Sequence, residues 1–440
     1  MMKRPTHPPL VLRLNADEAF LRLVPSFVGQ AATGLGLDNE PAKELALAAE
    51  EVMAYLVRIG GREGDLEISC QPGSHFIRID FAFPRQDLDL AAFNLTATVD
   101  FDNENDLDAM GLLIASRLVD RFMLSRRPDG SPVLTLFKDF LYPEMPPAPA
   151  EHRRPLASYA VQPPDEAQIK WFLGLVQQCY PPALFPADFL YPGKIVEMAA
   201  AGEYRLLLAV GPAGEIGGGI AWREDGRKTA EVSGPFVFAE EPAAEMAKQL
   251  MDGCVSAVAR TPAQVLLSRT PTPELPAGSL EPLGTITTSG PEGARVEVTA
   301  YFRELHEDLG AVSWTHPELQ PFLEATYRRL YFPREIRPVT ACGEADGPGS
   351  VLSAGMDRRL GQATLRPIWP GSDRRENLAA HIELLRSEGM TSILFELDLG
   401  CAWQAGFAPD LAALGFSPRL VLPHAGEGDL LLFELRTETP

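Results

Sequence analysis

Residues 141–155 read Leu-Tyr-Pro-Glu-Met-Pro-Pro-Ala-Pro-Ala-Glu-His-Arg-Arg-Pro, and five prolines in that stretch leave no room for a continuous strand or helix. Each proline removes a backbone donor and fixes φ, so the run reads as an extended linker. It divides the chain into a first unit of ordinary domain size and a long remainder. A chain of 440 residues is expected to hold two to four domains. We place a first domain at 1–142 and the linker at 143–155. Two halves come after it, at 156–300 and 301–440, because a strand–strand–helix–strand order recurs there.

Periodicity sets the elements. Before the linker, Leu10 to Leu14 reads as a strand, and Ala16 to Thr33 and Pro41 to Arg58 read as helices with apolar residues at helical spacing. Asp65 to Cys70 and His75 to Phe81 alternate as paired strands around Pro72-Gly73. A helix over Ala109 to Phe122 and a hairpin of Met123–Arg126 with Val133–Phe137 close the unit. Helices followed by an antiparallel sheet give a two-layer sandwich. The fold class expected for the whole chain is α/β of the α+β kind, this sandwich followed by two mixed-sheet domains.

The formal net charge of −21 works against nucleic acid and anionic membranes as partners. The five cysteines are scattered without a Cys-x-x-Cys pair, which argues for reduced thiols rather than a zinc site or disulfide framework. The seven histidines show no metal-ligand spacing, and the acidic run Asp100 to Asp108 lacks the glycine and distal glutamate of an EF-hand loop, so no metal is expected. There is no signal peptide and no eighteen-residue apolar span, and the expected location is the cytoplasm.

Three pieces of the first domain carry a functional signal. They are the helix segment Leu45 to Tyr55, the strand Arg78-Ile-Asp-Phe-Ala-Phe-Pro84, and Asp108-Ala-Met-Gly-Leu112. In order and spacing they resemble the motifs of the anti-sigma-factor serine-kinase branch of GHKL (Bergerat-type) ATPases, over roughly residues 8 to 140. The resemblance implies a nucleotide site built from Glu51, Tyr55, Asp80, Ala82, Gly111 and Lys138. It also implies a damaged one. Tyr55 stands where the family has a magnesium-binding Asn, and a phenol that stays protonated to pH about 10 is a poor Mg²⁺ ligand. Ala82 stands where a glycine lets the backbone approach the base. Of the Gly-x-Gly that cradles phosphate ahead of a helix, only Gly111 remains. Mg-ATP is therefore not the expected ligand, and serine-kinase activity in a partner-switching system is the least favoured reading.

The remainder resembles tandem GNAT acetyltransferase domains. The carrying segments are Phe189 to Met198, the hairpin Glu203–Val210 with Gly214–Ile220, and Leu411-Ala-Ala-Leu-Gly-Phe416. The resemblance implies acetyl-CoA, held by a glycine-containing turn between a strand and a helix start, with its pantetheine arm between splayed strands. In the first half the turn position is Phe238 to Glu245, which has no glycine and places Glu240 and Glu241 where a dianion would sit. In the second half Pro370 to Asn377 offers Gly371, Ser372, Arg374 and Arg375 as an anion cradle; the competing reading is a helix start capped by Asp373 and Glu376. No catalytic residue is assigned, Glu396 and Asp398 being generic strand-end acids.

The leading expectation is a regulatory binding protein, a pseudo-enzyme with a degenerate ATPase-like module and GNAT-like modules. It would act on a protein partner or a small acyl or nucleotide ligand. An active N-acetyltransferase is the alternative. Members of the ATPase branch pair through sheet edges, so the resemblance also admits a homodimer.

Overall fold

A computed structural model describes residues 8–59, 65–83, 93–96, 104–127, 131–144, 156, 158–224, 228–240, 242–289, 295–339 and 347–435. Residues 145–155 of the linker, Pro84 and Glu241 lie outside them, as do residues 100–103 of the acidic run and the side chains of the rest of it. The chain forms two compact units. One comprises Met1–Leu141 with Asp346–Ser353 and Pro367–His381; the other comprises Tyr142–Ala345, Ala354–Arg366 and Ile382–Pro440.

The first unit contains β1 (Leu10–Asn15), α1 (Leu23–Gly34), α2 (Asn39–Ile59), β2 (Asp65–Pro72), β3 (Phe76–Ala82), α3 (Glu104–Leu118), β4 (Arg121–Arg126) and β5 (Pro132–Asp139). The strands form one sheet in the order β1-β2-β3-β5-β4, antiparallel throughout. In α2, Leu45, Ala48, Ala49, Val52, Met53 and Leu56 are buried. That spacing makes one continuous apolar stripe. α1 and α2 lie over β2 and β5. The sheet answers with Ile68, Cys70, Ile77, Ile79, Phe81, Leu134 and Leu136, all buried and in register. Successive strand residues point to opposite faces, so the residues between these belong to the other face of the sheet.

The chain continues through β6 (Ala160–Gln162), α4 (Glu166–Cys179), α5 (Pro192–Ala201), β7 (Tyr204–Val210), β8 (Ile216–Glu224), β9 (Thr229–Val237), α6 (Ala243–Val258), β10 (Val265–Ser268), β11 (Glu281–Ser289) and β12 (Arg295–Glu304). These strands make a seven-stranded sheet ordered β11-β12-β10-β9-β8-β7-β6. Its one parallel pair, β9 with β10, is joined by the crossover helix α6. The sheet is covered on both faces. Phe172, Phe189, Leu206, Leu208 and Phe236 form a core beneath α4 and α5, while Ala209, Ile220, Met246, Leu250 and Cys254 form a second core beneath α6.

Then come β13 (Ala311–Thr315), α7 (Gln320–Leu330), β14 (Arg334–Pro338), β15 (Val351–Asp357), β16 (Gln362–Trp369), α8 (Arg374–Ser387), β17 (Ser392–Asp398), α9 (Ala408–Ala413), β18 (Phe416–Leu422) and β19 (Leu430–Leu435). β13 and β14 form a parallel pair of their own. The others form a sheet ordered β15-β16-β17-β19-β18, in which β16 and β17 run parallel around the crossover α8. The mixed α/β class expected from the sequence is the class observed. In the second unit the two sheets touch where the Ser392 hydroxyl donates to the Thr287 carbonyl at 3.1 Å.

Candidate functional site

Glu51 and Tyr55 lie one turn apart on α2, as their spacing requires. Tyr55 is 1% exposed and meets Phe93 edge-on, with ring centroids 6.2 Å apart. The phenol is part of the core of the unit. Gly111 sits in the interior of α3 rather than ahead of a helix. Backbone N–H groups there serve the helix ladder and offer nothing to a phosphate. A Cβ at this position would lie 2.8 Å from Glu51 Oε2, so the glycine lets α3 close directly on α2. The motif's last glycine thus has a packing role, a departure from its expected place in a phosphate loop.

Asp80 departs further. It follows Ile79 and precedes Phe81, which both face the helices, so Asp80 and Ala82 point to the opposite face of the sheet from Tyr55. There the Asp80 carboxylate accepts from Thr135 Oγ1 at 2.7 Å, Arg78 Nε at 2.9 Å and Gln71 Nε2 at 3.0 Å. It lines a surface depression with Glu67, Ser69 and Arg127. The sequence motif and the pleat disagree by one residue, and the pleat decides: Phe81 occupies the inward position. Lys138 is a tie. Its ammonium is 2.6 Å from Glu44 on α2 and donates to the Leu118 carbonyl at 2.9 Å, at the negative end of α3. Glu51, Tyr55 and Gly111 are brought together; Asp80 and Ala82 are not part of that group.

Tyr55→Asn supplies the Asn of the motif that the sequence resembles, and we expect it to destabilise the unit. Removing a buried aromatic ring leaves a cavity and a buried amide, a loss of about 2 kcal/mol or more. Urea denaturation measures the loss, and a titration with Mg-ATP is expected to show no gain of binding.

The start of α8 is closed by the chain itself. A Cβ on Gly371 would lie 2.1 Å from the Ser350 nitrogen and 2.3 Å from the Gly349 carbonyl carbon, so residues 349–350 rest directly on Gly371. The Ser350 N–H donates to the Asp373 carboxylate at 2.6 Å, and the Ser372 N–H donates to the Gly347 carbonyl at 2.9 Å. Arg374 Nη1 donates to the Gly371 carbonyl at 3.2 Å, and Arg375 is exposed. The four residues lie within five positions, as the sequence dictates, but an internal segment and the Asp373 carboxylate between them take the space an anion would need. Behind them Asn94, in a stretch the sequence offered only as polar, is 5% exposed. Its amide donates to the Ser350 carbonyl at 2.8 Å and accepts from the Leu352 N–H at 3.0 Å and from Asn377 Nδ2 at 3.1 Å.

In the seven-stranded sheet, β9 outruns its parallel partner. The ladder covers Thr229–Glu231 with Val265–Leu267, and β9 continues to Val237. Beyond the ladder β9 is buried. Pro235 has no N–H, and its carbonyl accepts from the Thr272 hydroxyl at 2.6 Å. The Val237 N–H donates to the Tyr180 hydroxyl at 2.7 Å, and that hydroxyl is 3.2 Å from the Val237 carbonyl. The edge is satisfied from within. Glu240, beyond it, is exposed, and α6 begins without a side-chain cap.

The strand-end acids have defined jobs. Asp398 accepts from the N–H groups of Gly400, Glu427 and Gly428 at 2.7–3.0 Å and holds a turn. Glu396 is buried between Arg269 Nη1 at 2.9 Å and Arg366 Nε at 2.6 Å. Burial pushes its carboxyl pKa up, but the two guanidiniums outweigh that and hold it below the usual range. Glu231 behaves alike, raised by burial and lowered further by Arg269 and Arg223. Carboxylates held ionised by paired arginines are poor proton acceptors at neutral pH. Arginine spacing gave no hint of this network, because its members come from four different strands and the residue after β10. Among the described residues no group of three or more His, Cys, Asp or Glu is placed to hold a metal ion. No helix among them is long and apolar enough to cross a membrane.

No family model matches the chain, and no curated protein matches it. Solved structures do. The structure of the RsbU and RsbW domains of Rv1364c from Mycobacterium tuberculosis matches at 18% identity with a TM-score of 0.22, covering 30% of this chain. This chain spans 32% of that one. An N-acetyltransferase from Staphylococcus aureus Mu50 matches at 13% identity with a TM-score of 0.30, over 34% of this chain and 100% of the other. A GNAT superfamily phosphinothricin acetyltransferase from Sinorhizobium meliloti, in complex with AcCoA, matches at 14% identity with a TM-score of 0.27, over 34% of this chain and 90% of the other. Likenesses at these TM-scores say nothing about chemistry, and the functional reading rests on the geometry of this chain.

Proposed function

We propose that this protein is a binding and regulatory protein of reduced or no turnover. Its ATPase-like and acetyltransferase-like architectures act through a protein partner or a small ligand, without Mg-ATP or acetyl-CoA chemistry. The observation that supports this reading is the seating of residues 347–350 on Gly371, with Asp373 at the helix start where a pyrophosphate would bring its own negative charge. Like charges in that position oppose one another by about 1 kcal/mol or more. The burial of Tyr55 against Phe93 supports the same reading for the first unit, because Mg²⁺ finds no oxygen ligand in a ring packed into the core.

The test is a turnover assay on the full chain. With radiolabelled ATP and with acetyl-CoA, over a panel of amines and a serine-containing partner-switching antagonist, we expect no transfer above the buffer rate. Steady multiple-turnover transfer of phosphate or acetyl, abolished by Tyr55→Phe or Gly371→Ala respectively, would refute the proposal.

A further inference from the structure

We propose that the cavity between the two sheets of the second unit binds a small organic acid with an apolar body. Neither the α8 start nor the first unit contributes to this cavity, so it is independent of the turnover proposal.

The cavity measures about 270 Å³. Part of the lining is aliphatic: Ile286 from β11, Leu394 from β17, Leu420 from β18 and Leu432 from β19. Charged groups lie among these. Glu231, Glu396 and Asp357 line the cavity, and each already has a counter-ion. Glu396 lies between Arg269 and Arg366, Glu231 is paired with Arg223 at 3.2 Å, and Asp357 is gripped by Arg359 at 3.1 and 2.7 Å. No carboxylate is left over to receive a cation.

Donors are left over. Arg359 Nη1 and Arg269 Nε are buried nitrogens with no hydrogen-bond partner among the described residues, and both residues line this cavity. The nearest carboxylate oxygen to Arg269 Nε, on Glu231, stands off at 3.6 Å, too far for a hydrogen bond. A buried guanidinium N–H without an acceptor is costly, and two around one cavity point to an acceptor that arrives from outside. An ionised acceptor makes the stronger bond, and a carboxylate offers two oxygens. The Phe185 ring lies 5.8 Å from the Arg359 guanidinium and adds an apolar surface beside it. The volume falls just under the ~300 Å³ at which pockets begin to hold drug-sized ligands. The leucines and isoleucine match an aliphatic chain rather than a sugar or a phosphate ester.

Saturation-transfer NMR on the full chain, with hexanoate as probe and hexanamide as its neutral counterpart, tests this. We expect hexanoate to bind at least about tenfold more tightly than hexanamide. Arg359→Gln is expected to weaken hexanoate by about tenfold or more, with hexanamide little changed and the thermal midpoint retained. Ile286→Trp, which adds a bulky ring to the lining, is expected to exclude both. Equal affinity for acid and amide overturns the inference. So does hexanoate binding indifferent to Arg359→Gln, or no saturation by hexanoate up to about 10 mM. None of these outcomes bears on the turnover assay, so the two proposals fail separately.

Discussion

Arg334→Met is expected to destabilise the second unit by about 3–5 kcal/mol, because it removes one partner of a buried ion pair and leaves the other charged. Arg334 opens β14, and its side chain is 1% exposed. It donates from Nη1 to Asp308 at 2.6 Å and from Nε and Nη2 to the two oxygens of Asp429 at 2.7 and 3.1 Å. Phe332 covers its face at 5.3 Å. His424 Nε2 lies 3.0 Å from the same Asp308 oxygen. One cation therefore joins the loop before β13, the start of β14 and the start of β19. Burial drives the Asp308 carboxyl pKa up, and the bonds from Arg334 and from the Gly310 N–H more than reverse this. Taking Arg334 away leaves Asp308 and Asp429 buried without the guanidinium that pairs with both. Urea denaturation measures the loss, and adding Asp308→Asn and Asp429→Asn is expected to recover much of it, because the penalty lies in the orphaned charges. By contrast Arg337→Ala, which breaks the surface pair with Glu335, is expected to leave the midpoint unchanged. An Arg334→Met protein as stable as wild type would refute this assignment.

The second large effect is expected at Asn94. Asn94→Leu keeps the size and removes the amide, leaving the Leu352 N–H without its acceptor and the Ser350 carbonyl with one donor fewer. An unsatisfied buried donor costs about 1–3 kcal/mol, and the loss of the shared bond to Asn377 adds to it, for about 2–4 kcal/mol in all. The apolar neighbours Phe93, Leu124, Val351, Ile368 and Trp369 form one cluster and would remain, so the loss should be local. Native-state hydrogen exchange is the readout: the Leu352 amide is expected to lose protection while β2 and β3 keep theirs. Unchanged protection at Leu352 would show that Asn94 does not fasten residues 350–352.

Much of the fold was legible because periodicity is local. The α2 stripe at Leu45, Ala48, Val52 and Leu56 and the alternation of Ile77, Ile79 and Phe81 are written in neighbouring residues. Where proline intervened, legibility failed: β11 begins with Glu281-Pro282, and a run of prolines that looks like interruption ends in a nine-residue strand. The short strands β13 (AVSWT) and β14 (REIRP) carry too few residues for a legible apolar alternation. Helix starts also shifted, α3 beginning at Glu104 where the sequence suggested Ala109.

The site was less legible than the fold for a physical reason. A motif gives residue types in order, but the side a strand residue faces depends on its register with neighbours. Asp80 matches the family's letter and faces away, because Ile79 and Phe81 claim the core. The residues that close the α8 start, Asn94 and residues 347–350, are distant in sequence from Gly371 or carry no pattern of their own. Glu396 looked generic because its partners Arg269 and Arg366 come from other strands or the residue after one.

Our proposal that side chains and loops of this chain leave no grip for phosphate is tested most directly by isothermal titration of the full chain with Mg-ATP and with acetyl-CoA. The expected result is no saturable heat with either ligand up to about 1 mM. Micromolar binding of acetyl-CoA that disappears in an Arg374→Glu/Arg375→Glu variant, or micromolar Mg-ATP binding by a chain that still carries Tyr55, would contradict it.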